Sequence, residues 1–267
     1  MEQTLAPLLR TFLAMTSLTV FTLFGISHSD ADDGLSLRIM TYNIHHGEGI
    51  DGKLDLERIA AIIRKHECDL VALQEVDRNT TRSKGVDQIA ELGKLTGMQA
   101  YFGKAIDYAG GEYGLGILSK LPVSVSKSIP LPSGPKREQR MALEVFVKPS
   151  KGPGFVFVST HLDSTAGEND RAAQNAELVK LFGSGPSQAI LAGDFNSTQD
   201  KPELAPILNK WTDVDSKGMS PTIPVSKPNR KIDYIFLQKD SPWKVESAKA
   251  LNEPVASDHL PLLAILR

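Results

Sequence analysis

Ala189-Ile190-Leu191-Ala192-Gly193-Asp194-Phe195-Asn196 is a short apolar run that ends abruptly in a carboxylate and an amide. Four apolar residues followed by glycine read as a buried strand, because nothing in the run alternates with a solvated face. The same design recurs along the chain. Thr41-Tyr42-Asn43-Ile44-His45-His46, Leu73-Gln74-Glu75-Val76-Asp77, Ser159-Thr160-His161-Leu162-Asp163, Lys231-Ile232-Asp233-Tyr234-Ile235 and Ser257-Asp258-His259 each put polar groups at the end of an apolar run. Together the strings supply histidines, carboxylates and asparagines, with almost no Ser or Cys placed as a nucleophile. That inventory suits a hard divalent cation and an activated water better than a covalent intermediate.

Around these strings the chain alternates strand and helix signals. Leu35 to Ile44 and Leu70 to Leu73 read as strands, the second delivering Gln74 and Glu75 at its end. Asp55 is placed to cap a helix with Leu56, Ile59, Ala60 and Ile63 on one face. Val86, Ile89, Ala90 and Gly93 mark a second helix; Asn169 or Asp170 caps a third, with Ala172, Ala176 and Val179 on its face. A short helix is expected near Pro202, since proline suits a first turn. Strands are expected at 99–106, 113–119, 123–129, 141–147, 155–160, 232–237, 245–250 and 261–266, punctuated by Pro and Gly. The Pro- and Ser-rich stretch 216–229 reads as a surface loop, with a mobile lid as the alternative. No short-period repeat or linker interrupts this order. One domain of two packed sheets with helices outside is the expectation.

The first residues carry a different signal. Arg10 precedes an uncharged run from Thr11 to Gly25, and the small residues Ser27, Ser29 and Ala31 follow. Residues 1–31 therefore read as a secretory signal peptide, leaving 32–267 as an exported, periplasmic or extracellular domain. An uncleaved membrane anchor is the alternative, although the run falls short of the roughly 20 residues a spanning helix needs. Cys68 is the sole cysteine, so no internal disulfide is available and stability must come from the core. The net charge is −2. Bulk duplex DNA is disfavoured on that balance, because a sequence-independent DNA binder replaces phosphate counterions with an excess of Lys and Arg.

Tyr42-Asn43, Gln74-Glu75, Thr160-His161-Leu162-Asp163, Gly193-Asp194-Phe195-Asn196, Ile232-Asp233-Tyr234 and Ser257-Asp258-His259, in this order, resemble the endonuclease/exonuclease/phosphatase superfamily of deoxyribonuclease I-like metal-dependent phosphoesterases. The resemblance covers nearly all of 32–267. It implies an α/β fold: a four-layer α/β/β/α sandwich of two mostly antiparallel sheets flanked by helices, with the site at the strand ends along one edge. It also implies Mg²⁺ or Mn²⁺ held by Glu75, Asn43 and Asp258. His259 becomes the base or the charge stabiliser for in-line water attack, oriented by Asp233. Asp194 and Asn196 position the water and a nonbridging oxygen, and His161 hydrogen-bonds the phosphoryl oxygen, with Glu112 as its expected partner. Arg140 and the amides of Asn43 and Asn196 are expected on the substrate phosphate. Lys227, Arg230 and Lys231 could add a basic rim. In one respect the chain departs from the pattern: His45 stands where some members have a second acidic ligand, so His45 or His46 could favour a softer ion.

The expected activity is thus hydrolysis of a phosphoester, a diester in preference to a monoester, by direct water attack. Nucleic acid, phospholipid and small phosphodiesters remain open as substrates; no protein partner is indicated and a monomer is expected. The alternative is a non-catalytic module that keeps the fold and a phosphate-binding pocket. A serine hydrolase is disfavoured, for no Gly-x-Ser-x-Gly elbow is present.

Overall fold

The computed structural model describes Met1, Glu2 and residues 36–165, 169–185, 188–216 and 219–267. The expected signal peptide, apart from its first two residues, lies outside them. Residues Gly34–Arg267 form one compact unit.

Twelve strands lie among the described residues: β1 (Leu37–Asn43), β2 (Leu70–Arg78), β3 (Gln99–Tyr108), β4 (Gly111–Ser119), β5 (Val123–Pro130), β6 (Met141–Val147), β7 (Phe155–His161), β8 (Ala189–Asp194), β9 (Trp211–Asp213), β10 (Asp233–Gln238), β11 (Val245–Ala250) and β12 (Leu262–Leu266). The helices are α1 (Leu56–Lys65), α2 (Gln88–Thr96), α3 (Asn169–Phe182) and α4 (Ala205–Lys210). Sheet one has the order β11-β12-β1-β2-β4-β3 and sheet two β5-β6-β7-β8-β10-β9. Each is built outward from one parallel pair, β1 with β2 and β7 with β8, joined by a helical crossover; every other pairing is antiparallel. The two sheets therefore follow one strand plan, which no similarity in the sequence announces.

Three apolar clusters define the layers. The first lies between the sheets, where Leu143, Val145 and Phe157 meet Leu37, Ile39 and Ile117. The second packs α1 and α2 on sheet one through Ile59, Ile63 and Leu92. The third packs α3 and α4 on sheet two through Leu178, Phe182 and Ile207. This is the α/β/β/α order expected. Each large apolar side chain buried in it contributes about 1.5–3 kcal/mol over an exposed one.

Local chemistry explains the elements. The Asp55 side chain accepts from the Arg58 amide at 2.9 Å and starts α1. Asp87 does the same for α2, which ends on Gly97 in the left-handed region. α3 starts at Asn169, so its cap lies outside the described residues. The strand β9 was not expected, because Trp211–Asp213 is too short for a periodicity signal. The 219–229 stretch is anchored: the Val225 amide donates to the Asp258 carbonyl at 3.1 Å and the Leu260 amide to that of Thr222 at 2.8 Å. It braces the strand-end string that carries His259.

Candidate active site

Parallel pairing brings the polar strings together. Asn43 pairs with Gln74 at the end of β1 and β2, and His161 with Asp194 at the end of β7 and β8. β10 enters antiparallel with Asp233 opposite Asp194. Gly193 is demanded by this closeness, since a Cβ there would collide with the Thr160 carbonyl. Gln74 and Ser159 then tie the sheets across the core by a 3.3 Å hydrogen bond.

The ends of these strands depart from regular geometry. The β2–β4 register slips between Leu73 and Val76, and Glu75 sits in this bulge at φ +58°. Bulges re-aim side chains, and here the slip turns Glu75 from the buried ladder to a half-buried position at the sheet edge. His45, His46 and Asn196 also have positive φ, at 45°, 44° and 48°. Such conformations cost of order 1–3 kcal/mol each and persist only where the surroundings hold them.

A charged centre is built from both sheets. His259 Nδ1 lies 2.9 Å from Asp233 Oδ2, and its Nε2 lies 3.8 Å from Asp194 Oδ2. His161 Nε2 approaches the same Asp194 oxygen at 3.6 Å. The Asn43 amide donates to Asp194 Oδ2 at 3.1 Å and to Glu75 Oε1 at 3.0 Å. The other Asp194 oxygen accepts from the Asn196 backbone N–H at 2.8 Å, while the Asn196 side chain donates to the Leu162 carbonyl. Ser257 Oγ donates to the Asn43 carbonyl at 2.7 Å and contacts Asp258 Oδ1 at 3.3 Å, which seats half-buried Asp258 at the same edge.

Burial and charge set the protonation states. Burial alone would push His259 down, but Asp233, then Asp194 and Asp258, raise it to about 10. Of the two roles considered for His259, charge stabiliser therefore fits better than base. Asp194 is pushed up, first by burial and then by the neighbouring Asp233 charge. His161 is held well below its ordinary range by burial, with the Arg140 and His259 charges adding to the effect, so its ring is neutral.

Several expected partners are placed differently. Glu112 does not reach His161; its carboxylate pairs with Arg78 and, at 3.6 Å, with Lys104. The β3–β4 hairpin pairs Glu112 with Asp107 and turns it toward these cations. Lys231 does not line a basic rim, because it is buried against Asp213 and Asp215. Arg140 is buried, its Nη1 3.0 Å from Glu138, and its Nε has no hydrogen-bond partner. Together with His161 and Tyr113 it lines a small cavity. A buried, unpartnered guanidinium N–H is a ready donor to an anion. Tyr113, on β4, is brought beside Arg140 and His161 by the strand pairing.

The donors at this edge are carboxylates and an amide, which suit a hard divalent cation. Among the described residues, Asp194, Asp233 and His259 bring ligand atoms within 4.8 Å of one another. An ion there would have to displace the proton that His259 shares with Asp233. Glu75, Asp258 and Asn43 offer two further carboxylates and an amide at this edge, a ligand chemistry that suits a hydrated ion. His46 Nε2 lies 3.6 Å from Glu48, and His45 Nδ1 lies 3.1 Å from the Glu48 carbonyl.

The sequence profile of the Endonuclease/Exonuclease/phosphatase family matches residues 40–259. No curated protein sequence matches the chain significantly. Among solved structures, an endonuclease/exonuclease/phosphatase from Beutenbergia cavernae is 26% identical, over 87% of this chain and 71% of that one, at a TM-score of 0.75. A mannosyl-6-phosphatase from Bacteroides thetaiotaomicron is 19% identical, over 86% and 99%, at 0.71. D. rerio TDP2 complexed with single strand DNA product is 18% identical, over 87% and 99%, at 0.68. With the ordered strings, the sandwich and the profile in accord, the chain belongs to the endonuclease/exonuclease/phosphatase family.

Proposed function

We propose that this family hydrolase of phosphoester bonds is an exported phosphodiesterase that works with Mg²⁺ or Mn²⁺ and attacks phosphorus directly with water. The observation that carries the reading is His259 bracketed by Asp233 and Asp194, with Asn43 linking Asp194 to Glu75. Glu75, Asp258 and Asn43 would hold the ion, which supplies Lewis-acid charge at a phosphoryl oxygen when bound.

The chain's own groups divide the remaining work. Asp194, an acid made more basic by burial, is suited to take the proton of an attacking water, and the Asn196 N–H fixes its orientation. Asp233 holds the Nδ1 proton of His259, so the cationic ring presents Nε2–H to charge building in the transition state. His161 adds a neutral donor, and Arg140 offers its unpartnered Nε–H to a nonbridging oxygen. A diester is favoured because the cations around the site are largely matched: Arg82 by Asp77, Arg78 by Glu112, Lys231 by Asp213 and Asp215, and Arg140 by Glu138. A dianionic monoester would call for more uncompensated positive charge.

The test is turnover by the metal-stripped 32–267 chain after addition of Mg²⁺, Mn²⁺, Ca²⁺ or Zn²⁺. The panel is bis-p-nitrophenyl phosphate, p-nitrophenyl phosphate, single- and double-stranded DNA, RNA, sphingomyelin and inositol phosphates. Diester cleavage with Mg²⁺ or Mn²⁺, abolished in His259→Ala, is the expected result. Metal-independent turnover, or monoester turnover alone, would overturn the proposal. Export is tested separately, by whether residues 1–31 are removed when the full chain is secreted.

A further inference from the structure

Two helices make the crossovers of the parallel pairs, α1 between β1 and β2 and α3 between β7 and β8. The inward face of α1 is apolar, with Ile59, Ala60, Ile62 and Ile63 as its buried residues. α3 packs Leu178 and Phe182 in the same way, but one turn earlier it turns Arg171, Gln174 and Asn175 inward. These stand at i, i+3 and i+4 and so share one face. The alanine face expected from the sequence is not this one, for Ala176 is exposed. Each polar side chain reaches a segment that leaves the site. Arg171 Nη1 donates to the carbonyls of Asp163 at 3.1 Å and Thr165 at 2.9 Å, just beyond His161. Its Nε donates to Glu203 Oε1 at 3.2 Å, and that oxygen also accepts from Ser197 Oγ at 3.0 Å, next to Asn196. Gln174 accepts from the Asp163 amide at 3.0 Å, and Asn175 donates to the Glu203 carbonyl at 2.8 Å. Nearer the site the two loops meet directly: the Leu162 amide donates to the Asp194 carbonyl, and the Asn196 side chain to that of Leu162.

We propose that Arg171 is a positioning residue, whose guanidinium sets the spacing between the loop after His161 and the loop that carries Asn196. This rests on the phosphoesterase reading, in which both loops supply groups to the reaction, and deepens it. A helix that only had to pack would do so with the side chains of α1. Replacing a buried ion pair by apolar groups is often neutral or stabilising, so the Arg171–Glu203 pair is a poor device for stability alone. The face is also incompletely satisfied: Glu203 Oε2 and Asn175 Oδ1 are buried without a hydrogen-bond partner among the described residues. Such acceptors cost stability. What an apolar side chain cannot supply is direction. A planar guanidinium holds several N–H donors at fixed angles and can grip two segments at once. The segments it grips need that hold. Asn196 sits at φ +48°, a conformation that persists only where its surroundings impose it, and its backbone N–H orients Asp194. Arg171 touches neither Asp194 nor Asn196; it acts on them through Glu203, Ser197 and the Asp163 carbonyl.

Arg171→Lys separates charge from direction, because lysine keeps a cation beside Glu203 but loses the fork. Its kcat on bis-p-nitrophenyl phosphate with Mg²⁺ should fall about 10–100-fold at a KM within about threefold of wild type, as expected for a small misplacement of reacting groups. Should lysine fold poorly there, Arg171→Met combined with Glu203→Gln removes both charges and keeps an acceptor for Ser197. That double variant should melt within about 3 °C of wild type or above it, and show the same loss in kcat. Wild-type kcat in either folded variant, or a loss carried by KM alone, would overturn the proposal, since the ion pair would then serve the fold only. The second measurement needs no turnover. The Asn196 side-chain amide gives a proton–nitrogen NMR correlation, identified by its absence in Asn196→Asp. In both Arg171 variants it should shift and exchange with solvent several-fold faster, while the amides of α1 stay as in wild type. An unmoved Asn196 correlation overturns the positioning role whether or not any phosphoester is hydrolysed. A moved one beside an inactive wild type upholds the positioning and counts against the phosphoesterase reading alone.

Discussion

Sheets one and two share a strand plan, and both end their parallel pair in polar residues at the same edge, yet they offer different chemistry. The β1–β2 ladder finishes at Asn43 and Gln74, and the bulge in β2 brings the next residue, Glu75, to a half-buried position. β7 and β8 finish without a bulge, so His161 and Asp194 stay in the ladder and are buried. The single inserted residue in β2 separates the two outcomes. Where the strand slips, an acid is presented to water and suits a hydrated cation. Where it does not, an acid is trapped in a dry setting that raises its proton affinity. His259, carried on the sheet-one side and held by Asp233 of sheet two, joins the halves.

The strongest way to break the comparison is at that junction. His259→Ala should lower kcat by roughly 10³-fold or more, since it removes a donor to the transition state and leaves Asp233 without its partner. A loss below tenfold would mean that the halves act independently. Next comes Asp194→Asn, expected to lower kcat by about 10²–10³-fold while stabilising the metal-free protein at pH 8, because the amide imitates the protonated acid that burial favours. Each kcal/mol gained would raise the melting midpoint by about 2–4 °C. A lower midpoint would show that Asp194 is better accommodated as an anion. Glu75→Gln should act on the other side of the divide. Its activity should fall by about 10–100-fold and recover partly at high metal, with the pH dependence of melting left as in wild type.

The pH dependence itself sharpens the contrast. His259 gains proton affinity on folding, so its pair with Asp233 stabilises the protein fully below its unfolded value of 6.5 and is lost as pH rises through about 10. Asp194, also raised, works in the same direction: the folded state holds its proton more tightly, and stability falls as pH climbs past the ordinary 3.8. Urea midpoints of metal-free protein should therefore decline from pH 6 to pH 10 more steeply in wild type than in His259→Gln. Parallel curves would dissociate His259 from that decline. The smallest effect is expected for Ser257→Ala, which removes the bond to the Asn43 carbonyl and should cost about 1 kcal/mol in a urea titration.

Much of this was legible in the chain. Apolar runs ending in Asn43, Glu75, His161 and Asp194, and one beginning at Asp233, predict strands with polar groups at their ends, and the two parallel pairs and antiparallel β10 do bring these together. The helix capped by Asp55 follows from capping chemistry, which is local. Long-range partners were less legible. Glu112 lies beside Tyr113 in sequence, but the hairpin register hands it to Arg78 and Lys104; Lys231 looks solvated until Asp213 and Asp215 enclose it. Neither outcome has a local cause.

The order of polar strand ends was enough to identify the family, because each string states its residue types and the strand it terminates. Tertiary structure alone decided how those residues are charged and which of them meet. Protonation depends on burial and on neighbours brought from distant segments, as His259 is by Asp233 and Asp194, and no sequence separation encodes those distances. The β2 bulge likewise exists only once β4 is paired, since register is a property of two strands and not of either alone.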